Sequence, residues 1–208
     1  MEKPATLGRD GPPPDTDLRA DDATLIARSR AEPEAFAAIF DRHATAVHRY
    51  AARRLGPGPA EDVVGETFLV AFRRRDRYDL SHPNAAPWLF GIATNMISRH
   101  RQAEVRLYRA LARAGVDPAV ESPADEVVAR VAATGQRRVL AAALARLKTA
   151  DRDTLLLVDW AELTYDQAAL ALHVPVGTVR SRLNRARRKI REALDDINSV
   201  LSEEHSHD

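Results

Sequence analysis

From about Ala23 to Leu55 the apolar residues Leu25, Ile26, Phe36, Ile39, Phe40, Val47 and Tyr50 recur at the three- and four-residue steps of an amphipathic helix. Pro33 divides this stretch into a short helix and a longer one. The run Gly56, Pro57, Gly58, Pro59 interrupts the chain before a further helix whose inner stripe is Val63, Val64, Phe68, Val70, Ala71 and Phe72. Tyr78 to Pro87 has no such period and reads as a loop. Beyond it Trp88, Leu89, Ile92, Ala93, Met96 and Ile97 step again by three and four, so a fourth helix runs into the cluster Arg99, His100, Arg101. No segment sustains the period of two that a half-buried strand requires.

The fold expected from this pattern is all-α, with two small helical domains joined by a flexible linker. Residues 1–21, rich in Pro, Gly and Asp, are expected to form a disordered tail, and residues 22–103 the first domain. Residues 104–132 read as the linker, although Val105, Leu107 and Leu111 are spaced for a helical extension. A second helical block, residues 133–195, carries Val139, Leu140, Ala143, Leu144 and Leu147, then Leu155 to Val158, then two closely coupled helices; residues 196–208 form a tail.

Composition narrows the function. Hydrophobic residues are 45% and charged residues 29% of the 208, enough to build a core. Without cysteine there is no disulfide framework, thiolate metal site or thiol nucleophile. No apolar run approaches a membrane span and no signal peptide is evident, so a cytoplasmic protein without membrane insertion is expected. The net charge of +1 conceals an uneven distribution: acidic residues crowd the start, whereas Arg180, Arg182, Arg185, Arg187, Arg188, Lys189 and Arg191 crowd one late helix.

That helix belongs to the most informative motif. Thr164 and Gln167 have the spacing of a capping box, Ala168 to Leu172 continue the helix, and the chain breaks at His173 and Val174 before Pro175 opens another. Short helix, tight turn and basic helix make a helix-turn-helix, whose second member suits the major groove. At about 100° per residue, Val176, Val179, Leu183, Ala186 and Ile190 form one stripe. Thr178, Ser181, Asn184, Arg185 and Arg188 face the other way, flanked by Arg180 and Arg182. Arginine can grip guanine edges or phosphate, and Asn and Ser reach base edges or backbone.

The stretch LTYDQAALALHVPVGTVRSRLNRARR from Leu163 resembles region four of the extracytoplasmic-function sigma factors of bacterial RNA polymerase. Upstream, AEDVVGETFLVAFRRRDRYD and PWLFGIATNMISRHR resemble the core-binding and promoter-melting helices of region two. Two matches in the family's order carry more weight than a helix-turn-helix alone. The resemblance implies a non-enzymatic factor, needing no cofactor, that carries core polymerase to promoters by recognising their minus-thirty-five and minus-ten elements. It assigns Thr178, Arg180, Ser181, Arg182, Asn184, Arg185 and Arg188 to the first element. Tyr78, Asp79, Ser81, His82, Asn84, Trp88, Asn95 and Arg99 go to the second, where a loop would capture a base already out of the stack. Asp62, Val63, Glu66, Thr67 and Phe68 match the polymerase-contact helix; Gly65 departs from the glutamine usual there. The implied partners are the β′ clamp helices and β flap of polymerase, promoter DNA and an anti-sigma factor.

The rival reading is a conventional activator or repressor that binds operator DNA as a dimer. His205 and His207 supply too few ligands for a metal site, and Asp151 and Asp153 read as helix-start carboxylates favoured by the helix dipole.

Overall fold

The computed structural model describes residues 20–113 and 138–204, with side chains through Asp195. All regular structure among the described residues is helical. The tail before residue 20, the stretch 114–137 and the terminal histidines lie outside them.

Helix α1 (Asp22–Arg28) is capped by Asp21, whose carboxylate accepts from the Thr24 N–H at 2.8 Å. Pro33 opens a 3₁₀ turn, Pro33–Phe36, that leads into α2 (Ala37–Leu55). Gly56 ends α2 at φ 87°, a backbone conformation that costs glycine little, and Pro57 then begins α3 (Pro57–Arg74) without losing a needed N–H. Helix α4 (Ala86–Arg99) follows the loop, with Pro87 in its first turn. Aromatic pairs lock these helices together: Phe36 and Phe72 meet at 5.4 Å between ring centroids, Phe40 and Phe68 at 4.8 Å, and Tyr50 and Phe90 at 5.3 Å, all edge-on.

The next helix, α5 (Arg101–Arg113), crosses the boundary expected at residue 103. Its inner side is formed by Glu104 and Tyr108, each 1% exposed, while Leu111 points outward. The apolar period is therefore a poor guide here, because one of the residues that anchors the helix is a carboxylate. At the far end of the chain the helical backbone continues to Glu204, through much of the segment expected to be a tail.

The second unit consists of α6 (described over 138–146), α7 (Thr149–Asp159), α8 (Tyr165–Leu172) and α9 (Val176–Glu204). Helix α9 packs on α7 and α8. The two units share one continuous set of buried residues, because α4 packs directly on α8. Gly91 makes that approach possible: a Cβ there would sit 2.5 Å from the Ala171 carbonyl oxygen.

Candidate nucleic-acid interface

The helix-turn-helix is set at a fixed angle by backbone chemistry at both ends of α8. The Gln167 N–H donates to the Thr164 hydroxyl at 3.2 Å, and the Thr164 N–H donates to the Gln167 side-chain oxygen at 2.9 Å, so both halves of the capping box form. At the other end His173 takes the left-handed conformation, φ 51°, and the Val174 N–H reaches back to the Ala169 carbonyl at 3.1 Å. The chain reverses within two residues, and the Thr178 N–H closes the first turn of α9 on the Pro175 carbonyl at 2.8 Å.

Helix α9 buries Val179, Leu183 and Ala186, with Val176 and Ile190 half-buried at the margins. Arg180, Ser181, Asn184, Arg185 and Arg188 are exposed on the opposite side; Thr178 and Arg182 are half-buried at its edges. The arginines are not equivalent. Arg185 grips buried Asp151 through two bonds, Nη2 at 2.8 Å and Nε at 3.3 Å, which orients its guanidinium while leaving nearly half the side chain exposed. Asp159 holds Arg187 at 2.8 Å, and the Tyr165 hydroxyl approaches it at 3.4 Å. Arg188 makes a looser pair with Glu192 one turn on, and the Ser181 hydroxyl donates to the Thr178 carbonyl at 3.0 Å. A row of cationic donors, partly pre-aimed, thus projects from a rigid helix, the arrangement that suits phosphates and guanine edges.

In the first unit the loop before α4 is shaped by its own side chains. The Asp79 carboxylate accepts from the Ser81 N–H at 3.0 Å, and the Asn84 side-chain oxygen accepts from the Ala86 N–H at 2.8 Å. Buried Tyr78 donates its hydroxyl to the His82 carbonyl at 2.7 Å and packs, tilted by 51°, against half-buried Trp88 at 4.9 Å between ring centroids; burial pushes its phenol up to about 12. Asp79, Ser81 and Asn84 are exposed above this floor, with His82 half-buried beside them; Asn95 and Arg99 are exposed further along α4. Tyr78 and Trp88 therefore support the loop from beneath.

On α3 the five residues matched to the polymerase contact divide by face. Asp62 and Glu66 are exposed, whereas Val63, Thr67 and Phe68 are buried and hold the helix in place. Leu69, 48% exposed, adds apolar surface to this region, as does Phe40, which falls on the apolar stripe read from the sequence yet is 44% exposed. Glu66 also reaches Arg99 at 4.0 Å.

Comparison with known proteins agrees with these two units. Residues 39–113 match the model for Sigma-70 region 2, and residues 137–190 match Sigma-70, region 4. The ECF RNA polymerase sigma factor SigL of Mycobacterium tuberculosis is 33% identical over 177 residues, covering 84% of this chain and 97% of SigL. The chain belongs to the extracytoplasmic-function sigma factors. The RNA polymerase sigma factor NccH of Alcaligenes xylosoxydans xylosoxydans is 31% identical, with 84% of this chain and 95% of the relative covered. Among solved structures, CnrH in complex with the cytosolic domain of CnrY aligns with a TM-score of 0.56 at 28% identity, over 84% of this chain and 97% of that one. The sigma factor thus directs polymerase to promoters, and the dimeric operator-binding reading is not favoured.

Sequence reasoning missed the charged residues buried where the units meet. Asp151 stands in the first turn of α7, as expected, whereas Asp153 lies one residue past it; the two residues are 2% and 8% exposed and bind arginines. Arg54 carried a readable signal, since it follows Val47, Tyr50 and Ala51 along the inner stripe of α2. A charge on a buried stripe calls for a partner.

Proposed function

We propose that this sigma factor reads the minus-thirty-five element with Arg180, Ser181, Asn184, Arg185 and Arg188, and captures a minus-ten base with the loop 78–86 and Asn95. Asp62 and Glu66 on α3 meet the β′ clamp helices of core polymerase. The observation that carries the reading is the division of α9 into a buried apolar stripe and an exposed cationic face, held by two satisfied helix caps. A groove of about 350 Å³ lined by Leu140, Leu144, Leu156, Trp160 and Ile190 has the apolar walls to receive a helix of the β flap.

The chain acts through the chemistry of polymerase and supplies no reacting group of its own. The similar structure of CnrH bound to the cytosolic domain of CnrY supports an anti-sigma partner here as well. Among the described residues no helix is long and apolar enough to cross a membrane.

Transcription in vitro with core enzyme and a library randomised through both promoter elements tests this reading. Enrichment of one sequence at each element, dependent on both enzyme and factor, is expected. A specific gel shift of duplex DNA by the factor alone, with no polymerase-dependent initiation, would overturn it.

A further inference from the structure

The first residue of α1 reaches across the fold to the base of the minus-ten loop. Asp22 Oδ2 accepts from the Ala85 N–H at 2.8 Å and from His43 Nε2 at 2.7 Å; Oδ1 accepts from Arg42 Nη1 at 3.0 Å. Its own N–H donates to the Pro83 carbonyl at 3.0 Å. Nearby, Arg30 Nη2 donates to the Tyr78 carbonyl at 3.3 Å, so α1 and the turn after it hold both ends of the loop. We infer that Asp22 is a positioning residue for minus-ten recognition: it fixes the height and angle at which Asp79, Ser81 and Asn84 meet the extruded base. Ser81 and Asn84 project from a loop that lacks helical or strand bonds over residues 79–85, and its backbone is tied down where Asp22 binds it.

This inference rests on the reading that the loop captures DNA, and the experiment separates the two. Asp22→Ala and Asp22→Asn, in the full chain with core polymerase, are compared with Asn84→Ala on promoters varied through the minus-ten element. Discrimination among minus-ten sequences should fall by about threefold or more for Asp22→Ala, and less for Asp22→Asn, which keeps one oxygen for Ala85. Affinity for polymerase and preference at minus-thirty-five should not change. An equal loss on every promoter makes Asp22 merely structural and overturns the inference. So does altered preference in Asn84→Ala alone; if neither position alters preference, the DNA-capture reading falls and the inference with it. Should Asp22→Ala fail to fold, Asp22→Asn carries the test.

Discussion

Arg54 and Asp153 stand 99 residues apart in the chain and meet side chain to side chain in the interior, with Glu104 on another edge of the same guanidinium and the Tyr50 hydroxyl on a third. Burial works against the charge on Arg54, but the surrounding Tyr50, Asp153 and Glu104 hold its pKa well above the ordinary arginine value. Burial also raises the Asp153 carboxyl, against the pull of Arg54. The guanidinium stays charged because three partners face it.

Arg54→Met would leave the buried Asp153 carboxylate without the cation that binds it, while Glu104 keeps Arg152. A loss of about 3 to 5 kcal/mol is expected, read from urea denaturation. Arg54→Met combined with Asp153→Leu should recover part of it, since the buried charges that remain, Glu104 and Arg152, face each other. Equal losses in the single and double variants would show that packing of the arginine stem, rather than charge, is what the fold needs.

Acid should loosen the loop before α4. Burial alone would raise the Asp22 carboxyl, but bonds from His43, the Ala85 N–H and Arg42 bring it down to about 2, from an ordinary value of 3.8. A depressed carboxyl contributes stability that is whole above its unfolded pKa and is lost as pH falls through the folded one. The contribution is about 2 kcal/mol, lost between roughly pH 4 and 2. Stability curves from pH 6 to pH 2 should therefore be flatter across that window for Asp22→Asn than for the unaltered chain.

Arg185 and Asp151 form a separable pair. Arg185→Ala should lower transcription by on the order of tenfold and relax preference at one or two minus-thirty-five positions. Asp151→Ala leaves the guanidinium present but no longer aimed, so a smaller loss with blurred preference is expected. A uniform loss on all upstream sequences would instead make Arg185 a phosphate anchor.

Gly65 sits mid-helix in α3 with no atom within 4 Å of where a Cβ would stand. Gly65→Ala should stabilise the chain by about 0.5 to 1 kcal/mol, seen as a raised thermal midpoint. Glutamine at this position should fold equally well and permits a direct comparison of polymerase affinity.

Charge reversal at Asp62 and Glu66 together should weaken polymerase binding in a pull-down while leaving circular dichroism unchanged, because both side chains are exposed. A charge introduced at Val63, Thr67 or Phe68 would be buried and would disrupt α3, so those positions cannot report on the contact.

Wherever a helix bears a continuous apolar stripe, its existence and facing were written locally. The capping box at Thr164 and Gln167, the proline starts at Pro57 and Pro175, and the outward set on α9 all follow from neighbours a few residues away, where spacing alone determines geometry. Tertiary structure decided what depends on residues distant in sequence. Glu104 and Arg152 look like surface charges until the partner 48 residues away is placed beside them. Thr67 matches a contact motif and lies off the apolar stripe read from the sequence, yet the packing of the helices around α3 buries it completely. Arg185 had to face outward by period, but its aim belongs to Asp151, 34 residues earlier, because a long side chain is oriented by what it binds and not by the helix that carries it.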